Sequence, residues 1–202
     1  MIYLRRSAPI IPATVTLVDS TQRAGSGANV TDIACGPAAF DRMMVVYCLT
    51  NDAVTTAATL NGVAALPIQL DIGANRMLLA VAPMPTGTTA TLTLTGATPL
   101  YTFGAVALTG VTPTYYAVAG ALANSVTIDT PANGALVAAS IKAPTGTVAW
   151  GGGLTEDFDY SAVSGAVGVS MAHLVPAAEV SGLTVTATGA SVVMAISFSR
   201  MF

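Results

Sequence analysis

Polar and apolar residues alternate along much of this chain with a period of two. Residues 89–95, TATLTLT, are the clearest case. Ala90, Leu92 and Leu94 fall on one side of an extended backbone and the threonines on the other, and Gly96 ends the run. Threonine suits the wet side of a strand: its β-branch fits the pleat and its hydroxyl reaches water. TVTLVDS at 14–20, SVTIDT at 125–130 and LTVTATG at 183–189 follow the same pattern. A second kind of segment is denser. MMVVYCL at 43–49, MLLAVA at 77–82 and LVAASI at 136–141 are apolar at nearly every position, which predicts central strands buried on both faces. Turn residues fall between the runs: Asn61-Gly62, Pro85-Thr86-Gly87, Asn133-Gly134, Pro144-Thr145-Gly146 and the triple glycine at 151–153. No segment has a helical period; AAF at 38–40 is at most one short turn. Many short strands with such punctuation predict an all-β chain, an antiparallel two-sheet β-sandwich. Val45, Val46, Leu79, Leu92, Leu94, Val126, Ile128, Val137, Val185 and Ile196 are its expected core.

The pattern also recurs. Residues 81–97, VAPMPTGTTATLTLTGA, resemble 174–190, LVPAAEVSGLTVTATGA, and each is followed by another apolar strand, FGAVALTG at 103–110 and VVMAISFS at 192–199. Upstream, residues 28–49 loosely match 123–141, so the offset is near 93 residues. Strands rich in Ala, Thr and Gly also resemble one another by composition alone. If the repeat is structural, two similar four-stranded units, about 28–110 and 123–202, make one double-sheet sandwich of the jelly-roll kind. The expected organisation is an N-terminal arm at 1–12 and one β-sandwich domain at 13–202. A chain of 202 residues suits a single all-β domain of this size, with enough buried surface to need no metal or disulfide.

Charge narrows the function. Only 8% of residues are charged, against about 25% in a typical soluble domain. The seven Lys and Arg are scattered, with only Arg5 and Arg6 adjacent, and net charge is −3, so no nucleic-acid partner is expected. Hydrophobic residues reach 53%, yet no run of about 18 apolar residues occurs, as a spanning helix requires. The alternating strands and the final Phe202 would suit an outer-membrane barrel. Aromatics at 6% are too few for its girdles, and Arg200 lies in phase with Phe202. No membrane partner is therefore expected. The first residues, MIYLRRSAPIIPATV, are broken by Pro9 and Pro12 and hold no export signal. Without export, Cys35 and Cys48 are expected to be free buried thiols rather than a disulfide.

Candidate chemistry is sparse. His173 is the only histidine and sits in an apolar strand, VSMAHLV, which points to a structural role. Neither G-x-S-x-G nor a Gly-Lys-Ser/Thr phosphate loop is present, and no enzymatic activity and no cofactor are expected. The densest polar cluster is TEDFDY at 155–160, after Trp150 and the glycines. Glu156, Asp157 and Asp159 could hold Ca²⁺ only if backbone oxygens completed the shell, and their spacing is not that of an EF-hand. With Trp150 and Tyr160 they form a candidate contact loop, because rigid aromatics anchor interfaces. The alternative places Trp150 in the core, with the glycines as a tight corner.

Four segments carry a resemblance: DRMMVVYCLTND at 41–52, TLNGVAALP at 59–67, APMPTGTTATLTLTG at 82–96 and WGGGLTEDFD at 150–159. Together they resemble a group of virion proteins from tailed bacteriophages and related gene-transfer particles, over roughly residues 13–199. The resemblance implies a jelly-roll-like sandwich that serves as a capsid decoration protein, a head-fibre base or a tail component. It also implies other virion proteins as partners, a homo-oligomer (a trimer within the family) and assembly in the host cytoplasm. The near-neutral surface agrees with it on separate grounds: a free monomer usually carries about 25–35% charged residues on its surface. The rival reading is a carbohydrate-binding or adhesin sandwich, with a host surface glycan held by Trp150, Tyr160 and the acidic residues.

Overall fold

The structure is a computed structural model describing residues 11–19, 23–25, 29–50, 57–72, 75–95, 100–144, 146–161 and 167–201. Residues 1–10 of the expected arm, and Phe202, lie outside the described residues. So does the side chain of Tyr160. Among the described residues there is no helix, and every paired strand is antiparallel, as the alternation predicts. All ten expected core residues are buried.

Among the described residues nine strands make the first half: β1 (Thr14–Asp19), β2 (Arg23–Gly25), β3 (Asn29–Ala34), β4 (Met43–Thr50), β5 (Ala57–Leu60), β6 (Val63–Ile72), β7 (Asn75–Pro83), β8 (Thr89–Thr95) and β9 (Leu100–Thr109). Eight make the second: β10 (Val111–Ala121), β11 (Ser125–Thr130), β12 (Ala135–Lys142), β13 (Ala149–Trp150), β14 (Thr155–Ser161), β15 (Gly168–Leu174), β16 (Val180–Thr188) and β17 (Val192–Arg200). The first half runs in the order β1-β9-β4-β7-β6-β5-β8-β3, with β2 beside β9. It bends at β6, whose start pairs with β5 and whose remainder pairs with β7. In the second half a five-stranded sheet, β10-β17-β12-β15-β14, accompanies a three-stranded one, β11-β16-β13. Strand for strand the two orders correspond, with β2 alone lacking a counterpart. Met43 and Ala135, which open β4 and β12, stand 92 residues apart, as do Ala57 and Ala149 of β5 and β13.

Each half therefore has eight matched strands and two sheets of its own, not the four strands expected from the sequence repeat. The larger sheets of the two halves pack against each other. Met43, Val45, Tyr47 and Leu49 of β4 share one apolar cluster with Ala135, Val137, Ala139 and Ile141 of β12. Met44, Val46 and Cys48, on the other face of β4, pack on Leu60, Leu92 and Leu94 of the outer strands. Leu136 and Ala138 of β12 likewise pack on Val126, Ile128 and Val185. The layers thus run outer, middle, middle, outer. This explains the two kinds of sequence run. β4 is buried at every position and β12 at all but its last, because each has a layer on both faces. β8 alternates, because only one of its faces is covered. Each fully buried Val or Leu contributes about 1.5–3 kcal/mol, so these layers dominate stability.

Two details fix the halves in place. Gly104 of β9 lets the Phe158 ring lie against the backbone: a Cβ there would fall 2.1 Å from a ring carbon. Across the same seam Tyr47 donates its hydroxyl proton to the Ser140 carbonyl at 3.4 Å. At the periphery, the predicted turn at Asn61-Gly62 closes a hairpin between β5 and β6, with φ of 49° and 77°, as a type I′ turn needs.

Candidate contact surface

Residues 150–160 are not one loop. Trp150 ends β13, residues 151–154 make a turn in which Gly152 and Gly153 both have positive φ, and the acidic residues lie on β14, an edge strand. Asp159 accepts a hydrogen bond from the Val148 backbone N–H at 2.5 Å. Asp157 meets Nδ1 of His173 at 2.8 Å, its own side chain only 5% exposed. Glu156 is exposed, and its carboxyl is pushed up from the usual carboxylate range, first by what desolvation it has and then by Asp159 and Asp157. The Trp150 ring nitrogen donates to Ser170 Oγ at 2.6 Å, and that hydroxyl donates to the Phe158 carbonyl. Trp150 packs against the cluster beneath the outer sheet of the second half. The cluster is bonded into the fold: two carboxylates and the indole hold β13, β14 and β15 together. Among the described residues no three His, Cys, Asp or Glu side chains are grouped to hold a metal ion. Cys35 and Cys48 are free and buried, and burial pushes both thiols above the ordinary range.

The exposed apolar residues lie elsewhere. Phe40 is 86% exposed. It borders a groove of about 160 Å³ together with Pro83, Pro85, Val111, Pro113 and Met201. That volume is well below the ~300–1,000 Å³ of small-molecule pockets. Tyr115, Tyr116 and Val118 of β10, and Leu122 just after it, are also exposed. Nothing charged occurs between Met77 and Ile128, so β10 and the outer face of β8 present only neutral groups. The sequence signal for this surface was the length of that uncharged run and the adjacent pair Tyr115-Tyr116.

One buried charge shapes the groove. Arg42, 1% exposed, sits at the start of β4 and points into the loops around it. Its Nε donates to the Met84 carbonyl at 2.6 Å, and one terminal nitrogen donates to Cys35, Gly36 and Pro37. The other donates to Thr86 and Gly87, both at 2.8 Å. Five N–H groups serve six carbonyls, so one is shared. Beside it Asp41 accepts from the Gly110 N–H at 2.7 Å. Comparison with known protein families, with curated proteins and with solved structures finds no match for this chain.

Proposed function

We propose that this chain is a structural subunit of a particle: a capsid decoration, head-fibre or tail component of a tailed phage that docks uncharged surfaces onto other virion proteins and catalyses nothing. The observation that carries the docking role is the exposed, charge-free surface of β10, flanked by the Phe40 groove, whose lining is mostly apolar but includes Asp41 and buried Arg42. Water-facing protein of this composition is poorly protected against association, and uncharged faces lose no hydrated ion when they are covered. The virion assignment draws on the sequence resemblance. The strand order adds support by analogy: β10-β17-β12-β15 and β11-β16-β13 resemble the two sheets of a jelly roll, with β14 joined to the larger sheet instead of the smaller, and the first half follows a similar path. Jelly rolls occur in viral capsids and in lectins, so fold alone does not choose between them. Against the glycan reading, the Trp150 N–H is committed to Ser170 and its half-buried ring packs against the core, which supports the structural reading.

The test is reconstitution. Purified wild-type chain should bind particles that lack it and appear as added density by electron microscopy. Lys at Thr91 and Thr93 asks whether the outer face of β8 is covered: both are half-buried in the isolated chain. A covered face predicts loss of binding, and a solvated face predicts no change. A wild-type chain that stays monomeric at high concentration and binds no particle refutes the assembly role.

A further inference from the structure

We propose that β10 is a self-association edge: it pairs antiparallel with β10 of a second copy of this chain, about a two-fold axis beside Ala119. The inference rests on the assembly reading and names the surface and the partner. It starts from how the sheet edges are protected. A free edge strand exposes unpaired N–H and C=O groups, and proteins blunt it with short length, charge, proline or a bulge. β14 carries Glu156, Asp157 and Asp159 and is bulged between Glu156 and Phe158. β3 is broken near Asp32, at φ 58°. β1 and β11 have six residues each, an acidic residue and a register shift, and β13 has two residues.

β10 differs from all of these. It has 11 residues, and its only protections, Pro113 and two register shifts, come before Ala117. From Ala117 to Ala121 it pairs with β17 in unbroken register, Ala117 with Ser197 through Ala121 with Val193. Among the described residues no strand pairs with its other side. This stretch has no charge, no proline and no bulge.

A two-fold contact brings a patch against itself, so any charge in it would meet its like. β10 meets that condition, whereas β14, with three carboxylates, cannot pair with itself without repulsion. Ala119 is the centre of the regular stretch. About it, Tyr116 faces Leu122 of the second copy and Val118 faces Gly120. These even-numbered residues are all exposed, while Ala117, Ala119 and Ala121 face the core of their own half. A Cβ on Gly120 would lie 3.3 Å from Met194 Cγ, a tight contact, and the glycine leaves space for the opposing Val118. The product is one continuous sheet through both copies.

Sedimentation of wild type, Val118→Lys and Thr127→Lys across micromolar to millimolar protein tests this, with circular dichroism confirming that each folds. Thr127 is exposed on β11, which belongs to the other sheet of the same half. Wild type and Thr127→Lys should dimerise, and Val118→Lys should raise the dissociation constant at least about tenfold, even if the ammonium partly reaches water. Separately, Tyr116→Cys mixed with Leu122→Cys should give a mixed disulfide faster than either alone, with buried Cys35 and Cys48 silent. If Val118→Lys misfolds, this cross-link decides. Association that ignores both perturbations, or a three-fold species, overturns the β10 pairing and leaves the assembly role standing. A monomer that still binds particles does the same. A monomer that binds none overturns both.

Discussion

Replacing Arg42 with methionine keeps the length of the stem and removes every donor. Six carbonyls then lose their partner. Four of them, on Gly36, Pro37, Thr86 and Gly87, belong to partly exposed hydrogen bonds and can recover water. The carbonyls of Cys35 and Met84 take part in buried ones and cannot. Two buried acceptors left bare cost roughly 1–3 kcal/mol each, so Arg42→Met should destabilise by about 2–6 kcal/mol. That is a large share of the ~5–15 kcal/mol that holds a typical domain together. At about 2–4 °C per kcal/mol for a chain of this size, the melting temperature should fall by at least ~4 °C. Arg42→Lys should fall between, because three donors on one nitrogen cannot span both loops. Thermal and urea unfolding followed by near-ultraviolet circular dichroism measure this. Cys35 supplies a local readout, since it is buried under the same clamp. Its modification by a thiol reagent should accelerate in Arg42→Met, while Cys48 in the middle of β4 should stay inert. An Arg42→Met protein that melts with the wild type and protects Cys35 equally would refute the clamp.

Gly104→Ala should destabilise by about 1–3 kcal/mol through overpacking against Phe158. Phe158→Leu in that background should recover part of the loss in a double-mutant cycle, and strict additivity would show that the two do not touch. Glu156 titrates above the ordinary carboxylate range in the folded chain, so the folded state holds this proton more tightly than the unfolded state. Its contribution therefore falls as pH rises from the ordinary carboxylate value through the raised one. Glu156→Gln should remove that decline while changing stability by no more than about 0.5 kcal/mol; urea midpoints at several pH values measure it, and an unaltered pH slope would count against the shift.

The sequence pattern carried more of the architecture than a two-sheet reading used. Runs such as 43–49 and 136–141 have no wet face, and a strand with no wet face needs a layer on each side. Four layers follow from that, once the alternating run at 89–95 is assigned to an outer sheet. The acidic segment 155–160 was misleading as a loop because local polarity hides its partners: the Val148 N–H and the His173 ring come from other strands. Arg42 was legible as a charge beside a strand, but its acceptors lie on two loops, one of them more than 40 residues away, so its burial was not. β10 is hard to read as a strand because both faces of residues 115–121, YYAVAGA, carry apolar or small residues, so no alternation of polar and apolar positions marks it.

Only Gly110 separates β9 from β10, and the middle apolar layer belongs equally to both halves. Domains joined by slack chain can part and rejoin; these halves have no slack. If either loosens, it uncovers a face of the other as apolar as any core, so damage to one becomes damage to both. Unfolding should then be a single event, with half-open forms scarce. Such forms are where proteases cut first, so resistance to digestion follows from the way the halves are joined, with no added bond.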